Sequence, residues 1–329
     1  MATYNGFFMR DSLSDTGEIP SPGYPYYSPD VICHEQVANP QTYFVQNYNT
    51  NPNQPAELGS QTNYIYTRAR NLATTSLSGW SISVYRSSSS LFLNTNLWSQ
   101  NPLLTASGKS FVTLNTTPTQ GIAVGNDVLF LDAVTSNLFC LIGMATPQQP
   151  PVIPPPFTSY SDYILWVRMN QNVCGNNLTI ARNFATQQYS RIDSLSNPEN
   201  DYVPVLFVIS VVGTLPAGST FGVTCAPINV NSSWNISQGP VQTASGMMPP
   251  HFDGYVTTWG SLPSGQSQWP NGVRINNETY IGRDVGDPAA AYAAPWEHVR
   301  MQPGEMPGMP RTGVLVLLGS TGTYFSTGV

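Results

Sequence analysis

Asn63-Tyr-Ile-Tyr-Thr-Arg-Ala-Arg70 and, after a polar connection ending in Gly79, Trp80-Ser-Ile-Ser-Val-Tyr-Arg86 decide how this chain is read. In each stretch successive side chains alternate between two faces with a period of two, the pattern of a half-buried β-strand. Shorter apolar runs follow, and strands are predicted at Ser110–Leu114, Gly121–Val124, Val128–Leu131 and Leu138–Gly143. With turn residues between them and no amphipathic helical pattern of about ten residues, they predict a β-sandwich.

Upstream, Pro20, Pro22, Pro25, Pro29, Pro40, Pro52 and Pro55 interrupt any regular element. Residues 1–27 are expected to form an extended N-terminal arm, with short strands at Asp30–His34 and Thr42–Val45 after it. Downstream, Ala145–Pro156 reads as a polyproline-like spacer. A domain boundary is therefore expected at 147–156, with a first sandwich over 28–146 and a second β-rich domain over 157–329.

In that second part Thr158–Asp162 supplies helix N-cap candidates ahead of Tyr163–Asn170. The competing reading of the same residues is a faint internal repeat of the 63–68 segment. A strand is predicted at Leu178–Arg182, and Val203–Gly213 is expected to turn through Thr214–Ser219 into Thr220–Cys225 as a hairpin. Residues 229–310 read as long loops, with a short helix within Asp287–Arg300, and Thr312–Gly319 as a closing strand. The expected fold is mainly β: tandem β-sandwich domains joined by a Pro-rich linker, with a loop-rich C-terminal region.

Ser28-Pro-Asp-Val-Ile32, Asn39-Pro40, Gly59–Asn71 with its aromatic and Arg-x-Arg-Asn ending, Trp98, Gly121–Val124 and Leu138–Gly143 together resemble bacterial Ig-like β-sandwich modules. The resemblance covers about residues 28–146. It implies an Ig-like fold there and carries no chemistry, because such modules serve adhesins, surface enzymes and particle proteins alike.

The composition narrows the function. Only 9% of residues are charged and the net charge is −6. The twelve cations are Lys109 and scattered arginines, so there is no basic face to bind phosphate and nucleic acid is excluded as an expected partner. The longest apolar runs, Tyr202–Val212 and Gly313–Leu318, have strand length, which predicts no transmembrane segment. Met1–Arg10 lacks the pattern of a secretory leader. Localisation to a particle or an extracellular surface is expected, otherwise to the cytoplasm. Cys33, Cys140, Cys174 and Cys225 are far apart in apolar contexts and read as buried free thiols, the alternative being disulfides in any of three connectivities.

Motifs for chemistry are incomplete. His34-Glu35-Gln-Val-Ala38 begins like a zincin motif but has Ala where the second histidine must stand. Ser107-Gly-Lys-Ser110 lacks the first glycine of a P-loop and reads as a turn. His251, Asp253, Asp284 and Asp287 lie in no metal-loop spacing, and His298 in no nucleophile elbow. No catalytic residue, metal or cofactor is assigned. Trp234, Tyr255, Trp259, Trp269 and Trp296 crowd the C-terminal region and are the candidate ligand-binding residues, since such rings stack on sugars or anchor interfaces. The expected function is that of a non-enzymatic structural or adhesive protein, a subunit of a larger phage-like or tail-like assembly. Its partners would be copies of itself, other subunits or a glycan. The alternative is a glycan-binding or membrane-attacking toxin-like β protein.

Overall fold

The nine residues of strand Asn63–Asn71 organise the first sandwich, because four short strands pair antiparallel along them: Phe7–Phe8, Val31–His34, Ile122–Val124 and Leu129–Leu131. The computed structural model describes residues 4–22, 24–57, 63–87, 95–131, 140–182, 186–294, 305–309 and 312–326. Facing this sheet is a four-stranded one made of Val112–Thr113, Ser81–Ser87, Cys140–Thr146 and Val173–Asn177. Phe7, Val31, Ile65, Ile82, Val84, Leu129 and Leu141 fill the space between them.

Strand Cys140–Thr146 is buried on both faces. Leu141 and Ala145 point into the first core, while Cys140, Ile142 and Met144 meet helix Tyr160–Met169 through Tyr163, Ile164 and Val167. This explains its unbroken apolar run, which alternation alone would not produce. The helix starts where Ser159 Oγ accepts the Asp162 amide at 3.0 Å.

The second sandwich pairs a six-stranded sheet with a four-stranded one. The larger runs Val241–Met248, Val203–Val212, Arg274–Arg283, Val314–Phe325, Thr179–Arg182 and Ala56–Glu57. The smaller runs Gln188–Ser196, Asp253–Ser261, Thr220–Cys225 and Val230–Asn235. Val205, Phe207, Ile209 and Val211 point between the sheets, and Leu206 and Val208 point outward under Met306, Met309, Tyr24 and Tyr27. The mainly β reading therefore stands, with several corrections.

Residues 147–156 do not separate two domains. Val173–Asn177 returns to pair with Cys140–Thr146, so the proline-rich stretch leaves and re-enters one sheet. The chain passes to the second sandwich between Asn177 and Thr179, and Ala56–Glu57 crosses to that sheet from the first half. Nor is 1–27 a free arm among its described residues: Phe7–Phe8 pairs with Arg70–Asn71, and Phe7, Met9 and Tyr26 are buried.

Val203–Val212 and Thr220–Cys225 are both strands, but they lie in opposite sheets. The connection between them crosses the end of the sandwich, with Leu215 buried beneath it. Within 229–310 the expected loops are interrupted by four strands, Val230–Asn235, Val241–Met248, Asp253–Ser261 and Arg274–Arg283. Thr42–Val45 lies in helix Pro40–Gln46, held by the burial of Phe44 against Tyr66 at 4.8 Å. In the 287–300 region Pro288–Tyr292 is a 3-10 turn, and residues 295–300 lie outside the described residues. All four cysteines are buried thiols that form no disulfide.

The N-terminal segment is fastened by buried charge. Asp30, fully buried, accepts Arg10 Nε at 3.0 Å, Arg10 Nη2 at 2.5 Å and Arg68 Nε at 2.8 Å. Nearby, Asp11 is buried beside the Ser21 hydroxyl, and burial pushes its carboxyl up to about 8. The folded chain thus keeps a proton that the unfolded chain releases near pH 4, so Asp11 contributes stability that is full below that pH and is lost as pH rises toward 8. Burial raises Asp15 and Asp193 in the same direction. Urea unfolding is expected to show stability falling between pH 5 and pH 8 with an Asp11 component of about one proton. Asp11→Asn should flatten that component, and an unchanged pH slope in this variant would show that Asp11 is already ionised in the fold.

Candidate functional site

The outer face of the smaller sheet of the second sandwich carries the candidate site. In Gln188–Ser196 the outward side chains are Gln188, Ser190, Ile192 and Ser194, and Arg191 and Asp193 point inward. At 191–193 alternation thus runs opposite to the usual polarity, while Tyr189 and Leu195 on the same inward side belong to the core. The buried charges are tied to one another, Arg191 Nε to Asp193 Oδ2 at 3.3 Å, with Thr321 Oγ1 donating to the same carboxylate at 3.1 Å. That pairing makes the inversion tolerable, because a buried ion without a partner is strongly unfavourable.

Alongside, Asp253–Ser261 presents Tyr255, Thr257, Trp259 and Ser261 outward, in register with Ser194, Ile192, Ser190 and Gln188. On its other side Thr220, Gly222 and Thr224 lie opposite Ser261, Trp259 and Thr257. The face is therefore covered with hydroxyls and amides, with two aromatic rings and Ile192 among them and Asp253 at one end.

Gly222 is what lays Trp259 flat. A Cβ at position 222 would run into Trp259 Cζ2 and the Ser232 carbonyl oxygen, so only glycine leaves the indole room over the neighbouring strand. Trp259 Nε1 reaches Thr224 Oγ1 at 3.3 Å and fixes the ring in its plane. The ring then borders a groove of about 550 Å³ whose other walls include Thr186, Gln188, Ser190 and Ser261. Tyr255, 63% exposed, stands four residues along the same strand, about 13–14 Å away at ordinary strand rise. Gly222→Ala is expected to lift the indole from the sheet and to cost about 1–3 kcal/mol of stability, read from denaturant midpoints together with a shift in tryptophan emission.

The structure thus brings together two of the five aromatic candidates. Trp269 is buried, stacked on Phe325 at 4.3 Å and edge-on to Tyr189, with Nε1 donating to the Thr186 carbonyl at 3.2 Å. Trp234 packs inward on Phe221 at 5.8 Å and helps close the core. These two rings are structural, and Trp296 lies outside the described residues. The polar partners Gln188, Ser190 and Thr257 carry no sequence motif, and only strand register reveals them.

The other candidate motifs have structural roles or none. His34 sits edge-on to Tyr43 and Phe44, and Lys109 lies in a turn whose carbonyl accepts the Thr105 amide at 2.8 Å. Asp287 caps the 3-10 turn through Ala289 N at 2.7 Å and accepts Ser161 Oγ at 2.6 Å. His251 and Asp253 are exposed, and His298 is outside the described residues. No group of three or more His, Cys, Asp or Glu side chains converges among the described residues. No helix of the described residues is long and apolar enough to cross a membrane.

No family model matches the sequence, and no curated protein matches it. Among solved structures the chain is similar to Escherichia coli alpha-2-macroglobulin activated by porcine elastase, with 9% identity, 83% of this chain and 21% of that chain covered, and a TM-score of 0.22. A trypsin-activated alpha-2-macroglobulin from the same organism gives 9% identity, 83% and 17% coverage and a TM-score of 0.20. The chain spans about a fifth of the length of these proteins, and likeness at this level carries no functional argument. What the pairings show is a mainly β protein of sandwich-like sheets with a polar, aromatic face on its C-terminal half.

Proposed function

We propose that this chain is a non-enzymatic adhesive protein that holds glycans on the outer face of its second sandwich. The observation that carries the reading is Trp259, laid over Gly222 with its indole bordering the groove. A flat aromatic offers the apolar face of a sugar ring a large contact at low entropic cost. The surrounding Ser, Thr and Gln side chains supply donors and acceptors for hydroxyls, and the scarcity of charge favours neutral sugars over polyanions.

In this reading the first sandwich is an Ig-like module that presents the second, on a particle or an extracellular surface. Assembly through a free N-terminal arm loses its support, because the described part of that arm is built into its own sandwich. Adhesion is the half of the structural-or-adhesive expectation that retains a visible surface. A glycan array probed with the purified chain tests it: neutral linear oligosaccharides should be retained and sulfated polymers should not. A blank array, or retention of the sulfated polymers alone, sinks the proposal.

A further inference from the structure

Strand Gln188–Ser196 stands at the end of its sheet and pairs on one side alone, with Asp253–Ser261. Its register fixes where each backbone group points. Just beyond the strand ends, the Gln187 carbonyl accepts the Leu262 amide at 2.9 Å and the Asn197 amide donates to the Phe252 carbonyl at 2.7 Å. Hydrogen-bonded pairs alternate with non-bonded ones along an antiparallel ladder, so the odd-numbered residues bond the partner strand. The amides and carbonyls of the even-numbered residues point away from it, along the open edge. Gln188 and Ser196 have their carbonyls occupied there, by Thr186 Oγ1 at 2.7 Å and by the Tyr160 hydroxyl. Between them, the amides and carbonyls of Ser190, Ile192 and Ser194 have no hydrogen-bond partner among the described residues.

The opposite edge of the sheet, Val230–Asn235, is flanked by Val241–Met248, whose Gly246 packs so close that a Cβ there would strike Val230 Cγ2. Free edges are commonly guarded by lysine, proline or a bulge, because they template the addition of another strand. This one has none of the three. Its pairing runs without a register shift from 188 to 196, its outward row holds no charge, and Arg191 and Asp193 are turned inward and tied to each other. Ile192, at the middle of the open stretch, is 41% exposed.

We infer that this edge pairs antiparallel with the same edge of a second copy of the chain, about a two-fold axis at Ile192. The open row Ser190, Ile192, Ser194 is its own reverse. Turned about the axis, Ser190 of one copy lies opposite Ser194 of the other and the two Ile192 side chains lie side by side. Every open amide then meets an open carbonyl, no like charges oppose, and the exposed isoleucines shield one another from water. The two small sheets become one continuous sheet whose outer faces lie on the same side. Strand spacing and rise then set the two Trp259 rings about 20 Å apart on one surface. The pairing rests on the strand edge and does not depend on glycan binding.

Sedimentation velocity of the full chain over about 1–500 µM, the range of weak association, tests it. The mass should double toward the upper end, and Ile192→Lys, which sets two ammonium groups opposite each other, should weaken dimerisation at least tenfold. Oxidative cross-linking reads the register. Hydrogen-bonded pairs have Cα atoms about 5.5 Å apart, within disulfide reach, so Ile192→Cys should cross-link at least tenfold faster than Ser190→Cys, whose copies sit four residues out of line. The natural cysteines are buried and contribute little background. Circular dichroism establishes that each variant folds, and should Ile192→Lys fail to fold, the two cysteine variants decide. A chain that stays monomeric over the whole range overturns the inference, even where it binds glycans. A dimer that a folded Ile192→Lys variant leaves intact, or equal cross-linking rates at 192 and 190, overturns it as well.

Discussion

Asp30→Asn is expected to destabilise the fold by about 3–5 kcal/mol, the range for removing one partner of a buried ion pair. The carboxylate has no solvent exposure and serves two guanidiniums at once, Arg10 through Nε, Nη2 and the backbone amide, and Arg68 through Nε. An amide in its place keeps part of the hydrogen bonding but leaves two buried cations facing each other without the carboxylate they share. Arg68 has further duties that the substitution does not remove. Its Nη groups donate to the carbonyls of Phe44, Asn47 and Thr50 at 2.8–3.1 Å, closing the C-terminal end of helix Pro40–Gln46 and the turn after it.

Denaturant unfolding should therefore show a lower midpoint with an unchanged slope, since the sandwich still unfolds as it did but from a less stable state. Typical domains have about 5–15 kcal/mol in all, so this loss is a large share. Asp127→Asn, at an exposed turn, should stay within about 0.5 kcal/mol of the natural chain. If the two variants unfold at the same midpoint, Asp30 is not the anchor that its contacts describe.

That anchor also shows what the sequence leaves hidden. Arg68 and Arg70 stand in a clear alternating strand, yet nothing local says that Arg68 is wholly buried or that its partner is Asp30, thirty-eight residues earlier. Local alternation revealed Asn63–Asn71 and Ser81–Ser87 because each has a consistent apolar side. It did not reveal Gln188–Ser196, where Arg191 and Asp193 stand between Tyr189 and Leu195 on the inward side and Ile192 faces outward, so the apolar side of the strand is interrupted. The buried Arg191–Asp193 pair satisfies charge by tertiary contact, which no periodicity reports.

Pairing partners are hidden for the same reason. Val203–Val212 and Thr220–Cys225 look like a hairpin because both are apolar and a Gly/Pro turn joins them, and the same turn equally well carries the chain over the end of a sandwich. Thr42–Val45 has aromatic and β-branched residues that favour a strand. Pro40 at the helix start, the buried Phe44 and the Arg68 contacts override that preference. In the candidate site the aromatic signal was legible but its sorting was not. Tyr255 and Trp259 are separated from Trp234 and Trp269 only by which face of a strand or loop each occupies.

Trp259→Ala is expected to lower glycan affinity by about thirtyfold or more, since truncating a central aromatic anchor costs on the order of 2 kcal/mol or above. The loss should fall mainly on the dissociation rate, because the ring contributes contact area and no long-range field. Stability should change far less: the indole lies on the outer face over Gly222, and its removal opens no cavity in the core. Tyr255→Ala should weaken binding of longer oligosaccharides more than that of a single sugar, given its distance of about 13–14 Å along the strand. Trp269→Ala provides the contrast. Its ring fills the core against Phe325 and Tyr189, so truncation should cost about 3–5 kcal/mol of stability and reduce binding only as folded protein is lost. Surface plasmon resonance on these variants, with melting curves alongside, separates the two cases. Equal glycan dissociation rates for the natural chain and a folded Trp259→Ala variant would remove the sheet face as the binding surface.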